Sequence, residues 1–137
     1  MKIRKIDHIG IGVTSLEEAL KLYRDALGMP VDDMELLADM KLKVIKVRAG
    51  ESVLELLEPM PGEAVISKFL AARGGGIHHV CFEVDDVKAA SSELAAKGYE
   101  PLWPEPRKGA GDRLVMFLRP RKTGGVLIEI NQPTPRA

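Results

Sequence analysis

Two histidines and two glutamates recur in register along this chain. His8, in Ile6-Asp7-His8-Ile9-Gly10-Ile11-Gly12-Val13, falls on His79, in Ile77-His78-His79-Val80-Cys81-Phe82-Glu83-Val84, at an offset of 71 residues. Glu55, in Val53-Leu54-Glu55-Leu56-Leu57-Glu58-Pro59, falls on Glu129, in Leu127-Ile128-Glu129-Ile130-Asn131-Gln132-Pro133, at an offset of 74. Two imidazoles and two carboxylates form a mixed N/O donor set. Such a set suits Co²⁺, Mn²⁺, Ni²⁺, Zn²⁺ or Fe²⁺ rather than Ca²⁺ or a thiolate-selected metal. Four protein ligands leave part of an octahedron open, and two cis positions are what a bidentate substrate needs. A lone histidine beside a turn, or a lone glutamate in a strand, has a structural explanation. Recurrence in register weighs against it, because an uncompensated carboxylate at a strand centre is costly unless it is paired or bound to metal.

The elements that must hold these residues repeat as well. Alternation along a strand puts His8, Gly10 and Gly12 on one face and Ile9, Ile11 and Val13 on the other. In the second copy it puts His79, Cys81 and Glu83 together, with His78 on the apolar side. One helix follows each first strand. In the first half Ser15 and Glu18 make a capping box, and Leu16, Ala19, Leu20, Tyr23 and Leu27 follow at helical spacing. Gly28 and Pro30 end that helix. In the second half Asp85 or Asp86 caps, Val87, Ala90 and Leu94 form the stripe, and Gly98 and Pro101 end it. Strand character returns at 41–47 and 113–118, with shorter strands expected near 31–37 and 99–103. Gly50 and Gly124-Gly125 mark turns into the last strand of each half. The sequence predicts an α+β chain of two βαβββ modules, at about residues 3–59 and 76–133. A helical connector at about 62–75 joins them within a single domain over 1–137. Gly74-Gly75-Gly76 is expected to be a tight helix-to-strand turn.

Composition narrows the function. Twenty basic residues balance twenty acidic ones, which argues against a general nucleic-acid binder or a polybasic membrane module. Apolar residues are 45 % and charged residues 29 %, the balance of a folded soluble protein. The one cysteine, Cys81, excludes an intrachain disulfide and a zinc ribbon and is expected to be buried rather than nucleophilic. No apolar run approaches the length of a membrane span, and the N-terminus lacks a signal-peptide core. A cytoplasmic location is expected.

The segments IDHIGIGV at 6–13, LYRDALGM at 22–29, ELLEP at 55–59, GIHHVCFEVDD at 76–86, EPRKGAGDRLVMFLRP at 105–120 and KTGGVLIEI at 122–130 resemble the vicinal oxygen chelate (glyoxalase/dioxygenase) superfamily. Within it they are similar to the branch of epimerases acting on methylmalonyl-CoA. The resemblance covers roughly residues 3–132. It implies that the strands form a curled mixed sheet around one divalent ion per chain, Co²⁺ first, with Mn²⁺, Ni²⁺ or Zn²⁺ as substitutes. It implies His8, Glu55, His79 and Glu129 as the ligands, and the interconversion of (2R)- and (2S)-methylmalonyl-CoA. Glu129 resembles the residue proposed as both ligand and base. The family's other base is a glutamate on the strand that reads Lys41–Val47 here, where Lys43 aligns instead. The second proton carrier is therefore left open between Lys43, Glu55 and a metal-bound water. An acyl-CoA partner implies basic side chains at the mouth, for which Arg107, Lys108, Arg119 and Lys122 are candidates. A homodimer is implied on the same ground. The segment at 109–111 is either a loop over substrate or a turn before a strand.

Three other functions are compatible with the pattern. A lactoylglutathione lyase would use a similar His/Glu site on a glutathione hemithioacetal. An extradiol dioxygenase would use two histidines and one carboxylate on Fe²⁺ and would have no use for a fourth ligand. A metal-free ligand-sequestering resistance protein would have no reason to keep all four ligand-type residues on common faces.

Overall fold

Strand hydrogen bonding gives both halves the same plan. The computed structural model describes residues 1–133. The strands are β1 (Lys5–Gly12), β2 (Glu35–Leu37), β3 (Leu42–Ala49), β4 (Ser52–Pro59), β5 (Gly76–Glu83), β6 (Arg107–Lys108), β7 (Leu114–Phe117) and β8 (Ile128–Gln132). The helices are α1 (Leu16–Leu20), α2 (Val65–Arg73) and α3 (Val87–Ala96). The chain divides into two compact units, one of residues 8–78 and one that runs from His79 onward and includes residues 1–7.

In the first unit β1 pairs in parallel with β4, β4 antiparallel with β3, and β3 antiparallel with β2. In the second unit β5 pairs in parallel with β8, β8 antiparallel with β7, and β7 antiparallel with β6. Each unit is therefore a mixed four-stranded sheet with one helix after its first strand, the βαβββ order expected.

The helices start where the sequence places them, with a second device besides the cap. Ser15 Oγ accepts from the Glu18 N–H at 3.2 Å, but the Leu16 N–H is satisfied by Glu58 Oε1 at 2.9 Å. Glu18 itself pairs with Lys21 at 2.9 Å, so only half of the capping box is made. After Leu20 the helix loosens into a π-helical turn over Lys21–Ala26 and ends before Gly28. In the second unit Asp86, not Asp85, is the cap, accepting from the Ala89 N–H at 3.0 Å. Gln132 Oε1 accepts from the Val87 N–H at 2.8 Å. Glu58 and Gln132 are equivalent in the repeat, so the last strand of each module caps its helix.

Each helix covers the apolar face of its own sheet. Ile11, Leu16, Leu20, Ile45, Val47 and Leu56 form the core of the first unit. Val84, Val87, Ala90, Met116 and Ile130 form that of the second. The connector contains α2, whose first three N–H groups, at Val65, Ile66 and Ser67, donate to the Glu63 carboxylate. It ends on the left-handed Gly74 (φ +76) and turns at once into β5. A side chain at Gly75 would stand 3.1 Å from the Gly12 carbonyl oxygen, so the glycine run is a tight turn.

Two expectations fail in detail. No strand forms at 99–103, where only an isolated bridge joins Pro101 to Leu118. The edge strand comes later, at 107–108, because Pro101, Pro104 and Pro106 remove the N–H groups a ladder needs. In the first half the early strand is reduced to 35–37, with a single bridge between Val31 and Val47. No helix among the described residues is long and apolar enough to cross a membrane.

Candidate functional site

In the first unit β1 and β4 bring His8 and Glu55 together. His8 Nδ1 lies 3.2 Å from Glu55 Oε2, and both residues are buried, at 3 % and 7 % exposure. Register fixes the surroundings of Glu55. Gly10 is its partner on β1, and Lys46 is its partner on β3. Gly12, farther along the same face, is covered: a Cβ there would meet the Phe69 ring at 3.1 Å. Phe69 also meets His78 edge-to-face at 5.1 Å, which places His78 in packing, as alternation predicts.

The second unit repeats the pair. His79 Nε2 lies 3.2 Å from Glu129 Oε1, at 5 % and 6 % exposure. The partners of Glu129 are Cys81 on β5 and Phe117 on β7. Cys81 is wholly buried. Phe117 meets the His79 ring edge-to-face at 5.3 Å and the Trp103 ring at 5.6 Å. His79 is thus held on one side by a carboxylate and on another by an aromatic edge, and Trp103 buttresses that edge.

Below this pair lies a polar cluster that repeat matching misses. Arg113 Nη1 donates to Asp7 Oδ1 at 2.8 Å and reaches Glu83 Oε1 at 3.4 Å. Asn131, 1 % exposed, donates through Nδ2 to Asp7 Oδ2 at 3.1 Å. Asp7 immediately precedes His8 on β1, and Asn131 lies two residues beyond Glu129 on β8, so each adjoins a candidate ligand, one in sequence and one along a strand face.

The other candidates are more scattered. Lys43 is registered with Glu58 and lies 3.7 Å from its carboxylate. Adjacent strand residues face opposite ways, so this pair lies on the face away from Glu55. Lys46, not singled out in the sequence, takes the position beside Glu55. A signal for it exists: the Gly50-Glu51 turn closes a two-residue hairpin with Ala49 opposite Ser52, and counting back from it pairs Lys46 with Glu55. Arg107 and Lys108 form the exposed β6, and the Arg107 guanidinium sits 4.2 Å above the Trp103 ring. Lys122 Nζ lies 3.3 Å from where a Cβ on Gly98 would be, at the C-terminal end of α3, where a cation is favoured. Arg119 faces Glu100 at 3.6 Å. The 109–111 segment is a packed turn: Ala110 is buried, and a Cβ on Gly109 would come within 2.9 Å of Val115.

The donor set fits a divalent metal of the N/O-preferring series. Each half presents one imidazole nitrogen and one carboxylate oxygen 3.2 Å apart on buried strand positions, where an unpartnered carboxylate is costly.

Comparison with known proteins agrees with this plan. Residues 7–117 match the Glyoxalase/Bleomycin resistance protein/Dioxygenase superfamily. The mitochondrial methylmalonyl-CoA epimerase of Mus musculus is 38 % identical over 132 residues, covering 96 % of this chain and 74 % of that protein. The crystal structure of methylmalonyl-CoA epimerase from Mycobacterium tuberculosis superposes with a TM-score of 0.91 at 31 % identity, covering 97 % of this chain and 90 % of that one. A methylmalonyl-CoA epimerase solved in complex with methylmalonyl-CoA and NH4+ gives 0.90 at 32 % identity, covering 97 % and 96 %. With the family matched over most of its length and a relative of this identity aligned almost end to end, the chain belongs to the glyoxalase/bleomycin resistance protein/dioxygenase superfamily and groups within it with the methylmalonyl-CoA epimerases.

Proposed function

We propose that this protein is a metal-dependent epimerase that interconverts (2R)- and (2S)-methylmalonyl-CoA by moving the C2 proton. The observation that carries the reading is the repeated His–Glu pair, His8 with Glu55 and His79 with Glu129, each at 3.2 Å and each buried. The similarity to epimerases of this substrate supports the choice of reaction.

His8, Glu55, His79 and Glu129 would hold one divalent ion per chain, Co²⁺ first and Mn²⁺, Ni²⁺ or Zn²⁺ as substitutes. When bound, such an ion acts as a Lewis acid that stabilises negative charge on the thioester oxygen. The proton at C2 lies between a thioester and a carboxylate, and inversion requires a proton carrier on each face. Glu129 is the base on one face. Glu55, its equivalent in the other half, is the carrier on the opposite face. Lys43 is left out of this reading, since its register sets it on the other face of β3 beside Glu58. Burial of both glutamates excludes bulk water from the proton they exchange. Arg107, Lys108 and Lys122, all exposed cations, are offered to the phosphates of the CoA arm.

The test is solvent exchange. Co²⁺-loaded protein is mixed with single-epimer methylmalonyl-CoA in D₂O, with deuterium at C2 followed by NMR and the epimer ratio by a coupled mutase assay. Deuterium entry with conversion to the other epimer, abolished by a chelator, is expected. Absence of exchange in metal-loaded protein overturns the substrate assignment and moves the test to the glutathione hemithioacetal.

A further inference from the structure

The two carboxylates of the repeat differ in what stands beside them. Glu129 has Phe117 as its partner on β7, whereas Glu55 has Lys46 as its partner on β3. Lys46 and Phe117 are equivalent in the repeat, at the same offset of 71 that relates His8 to His79. Directly opposed residues of an antiparallel pair point to the same face, with Cβ atoms about 4.5–5.5 Å apart. One half of the repeat therefore sets an aromatic residue opposite its carboxylate, and the other sets a lysine.

Lys46 is half-buried, and among the described residues its ammonium makes no hydrogen bond or ion pair. Its acidic neighbours are already committed. Glu55 is paired with His8. Asp32, whose N–H donates to the Lys46 carbonyl, is held by Arg48 through two hydrogen bonds of 3.0 and 2.7 Å. The Asp32 carboxyl lies below the usual range chiefly through that hydrogen bond, with the charges of Arg48 and Lys46 adding to it. Other basic side chains of β3 have direct partners: Lys43 has Glu58 and Arg48 has Asp32. An ammonium without a direct partner is available to an anionic ligand, which it can meet through a charge-assisted hydrogen bond.

We propose that Lys46 is a specificity-determining residue that receives the free carboxylate of a malonyl-type acyl thioester, on the Glu55 side of the site. The inference rests on the epimerase reading and deepens it. It accounts for one of the asymmetries of the repeat, the Lys46/Phe117 pair. The charged end of the substrate goes toward Lys46. An acyl thioester without the second carboxylate gains nothing from Lys46.

The test compares wild type, Lys46→Met and Lys46→Arg, each loaded with Co²⁺. Binding of equilibrated methylmalonyl-CoA and of propionyl-CoA, the same thioester without the carboxylate, is measured by calorimetry. Kinetic constants for epimerisation and melting curves are recorded alongside. Met keeps the apolar stem of Lys46, so the fold and bound cobalt are expected to persist. Lys46→Met should weaken methylmalonyl-CoA by roughly 10- to 100-fold, the loss of one charge-assisted contact, and leave propionyl-CoA within about twofold. KM should rise with kcat little changed, the signature of lost ground-state binding. Lys46→Arg should restore most of the discrimination. Unchanged discrimination in folded Lys46→Met, or equal loss for both thioesters, overturns the role of Lys46 while leaving the epimerase reading intact. A wild type that neither binds nor converts methylmalonyl-CoA overturns that reading, and this one with it.

Discussion

Glu129 and Glu55 are chemically alike and stand at equivalent positions of the repeat, so substitution of either should slow the reaction. Glu129→Gln keeps shape and hydrogen-bonding reach but removes the carboxylate. It is expected to lower turnover by about 10²- to 10⁴-fold, the usual range for a positioned acid or base, with a melting temperature close to wild type. Epimerisation rates beside melting curves check this, and wild-type turnover in folded Glu129→Gln contradicts the role. Glu55→Gln should also slow epimerisation, while Lys43→Met, altered on the far face of β3, should leave it within about twofold. A large loss in Lys43→Met would return that residue to the chemistry. His8→Ala and His79→Ala should each release cobalt, measurable by metal analysis after dialysis. Full occupancy in both variants is incompatible with their assignment as ligands. The four candidate ligands were legible because each half carries a copy and because alternation chose His79 over His78. Lys46 was not singled out, since its significance depends on register across a hairpin and not on any motif of its own.

The helices show the same limit one level up. Ser15 and Asp86 are visible as caps because N-cap chemistry is local. Glu58 and Gln132 are not, because each reaches a helix N-terminus from 42 or 45 residues away in sequence. Each satisfies an N–H that would otherwise be unpaired and part-buried. Glu58→Ala and Gln132→Ala are each expected to cost about 1–2 kcal/mol, read as a lower urea midpoint with unchanged m-value. Loss in neither variant would show that water replaces the side chain without penalty. The edge strand expected at 99–103 is reduced to one bridge because Pro101, with Pro104 and Pro106 just beyond, removes N–H groups that a ladder needs. Surface pairs tie other elements together and should be felt in acid. Asp85 is held below the usual carboxylate range by its hydrogen bonds to Arg4, Asp32 by Arg48, and Glu93 by the N-terminal amine and Lys97. A carboxyl lowered in the fold and ordinary in the unfolded chain adds stability above its unfolded pKa of about 4. That stability is lost as the pH falls through the lower, folded value. Melting temperature should therefore fall as pH drops below about 4, and Arg4→Met should make the fall shallower. An Arg4→Met slope equal to wild type would remove the Asp85 pair from the account.

At the scale of the whole chain, matching one half against the other finds what the halves share and misses what they do not. Asn131 corresponds to Leu57, and Asp7 corresponds to His78, so the Asp7–Arg113–Asn131 cluster has no counterpart that a repeat could flag. Its members are also far apart in sequence, 106 residues between Asp7 and Arg113 and 124 between Asp7 and Asn131. The cluster nonetheless helps to tie residues 1–7 to the rest of the second unit, beside the Arg4 N–H donated to the Glu83 carbonyl at 2.8 Å and the surface pairs of Arg4 with Asp85 and of the N-terminal amine with Glu93. Arg113 is the counter-charge to two largely buried carboxylates, Asp7 and Glu83. Removing it takes that counter-charge from both, and a largely buried charge that loses its partner is more costly than an exposed one. Arg113→Met should therefore destabilise the protein by about 2–3 kcal/mol, below the range for fully buried pairs because the guanidinium is partly exposed. Asp7→Asn should cost less, since its carboxamide oxygen still accepts from Asn131 and the loss of one negative charge relieves Glu83. Combined, the two substitutions should cost about 1 kcal/mol or more less than the sum of the single effects, as expected for partners in one network. Urea unfolding of the four proteins in this cycle decides it. Simple additivity would mean that Arg113 and Asp7 stabilise the fold independently, and that the N-terminal segment is held by its backbone hydrogen bonding and its surface pairs.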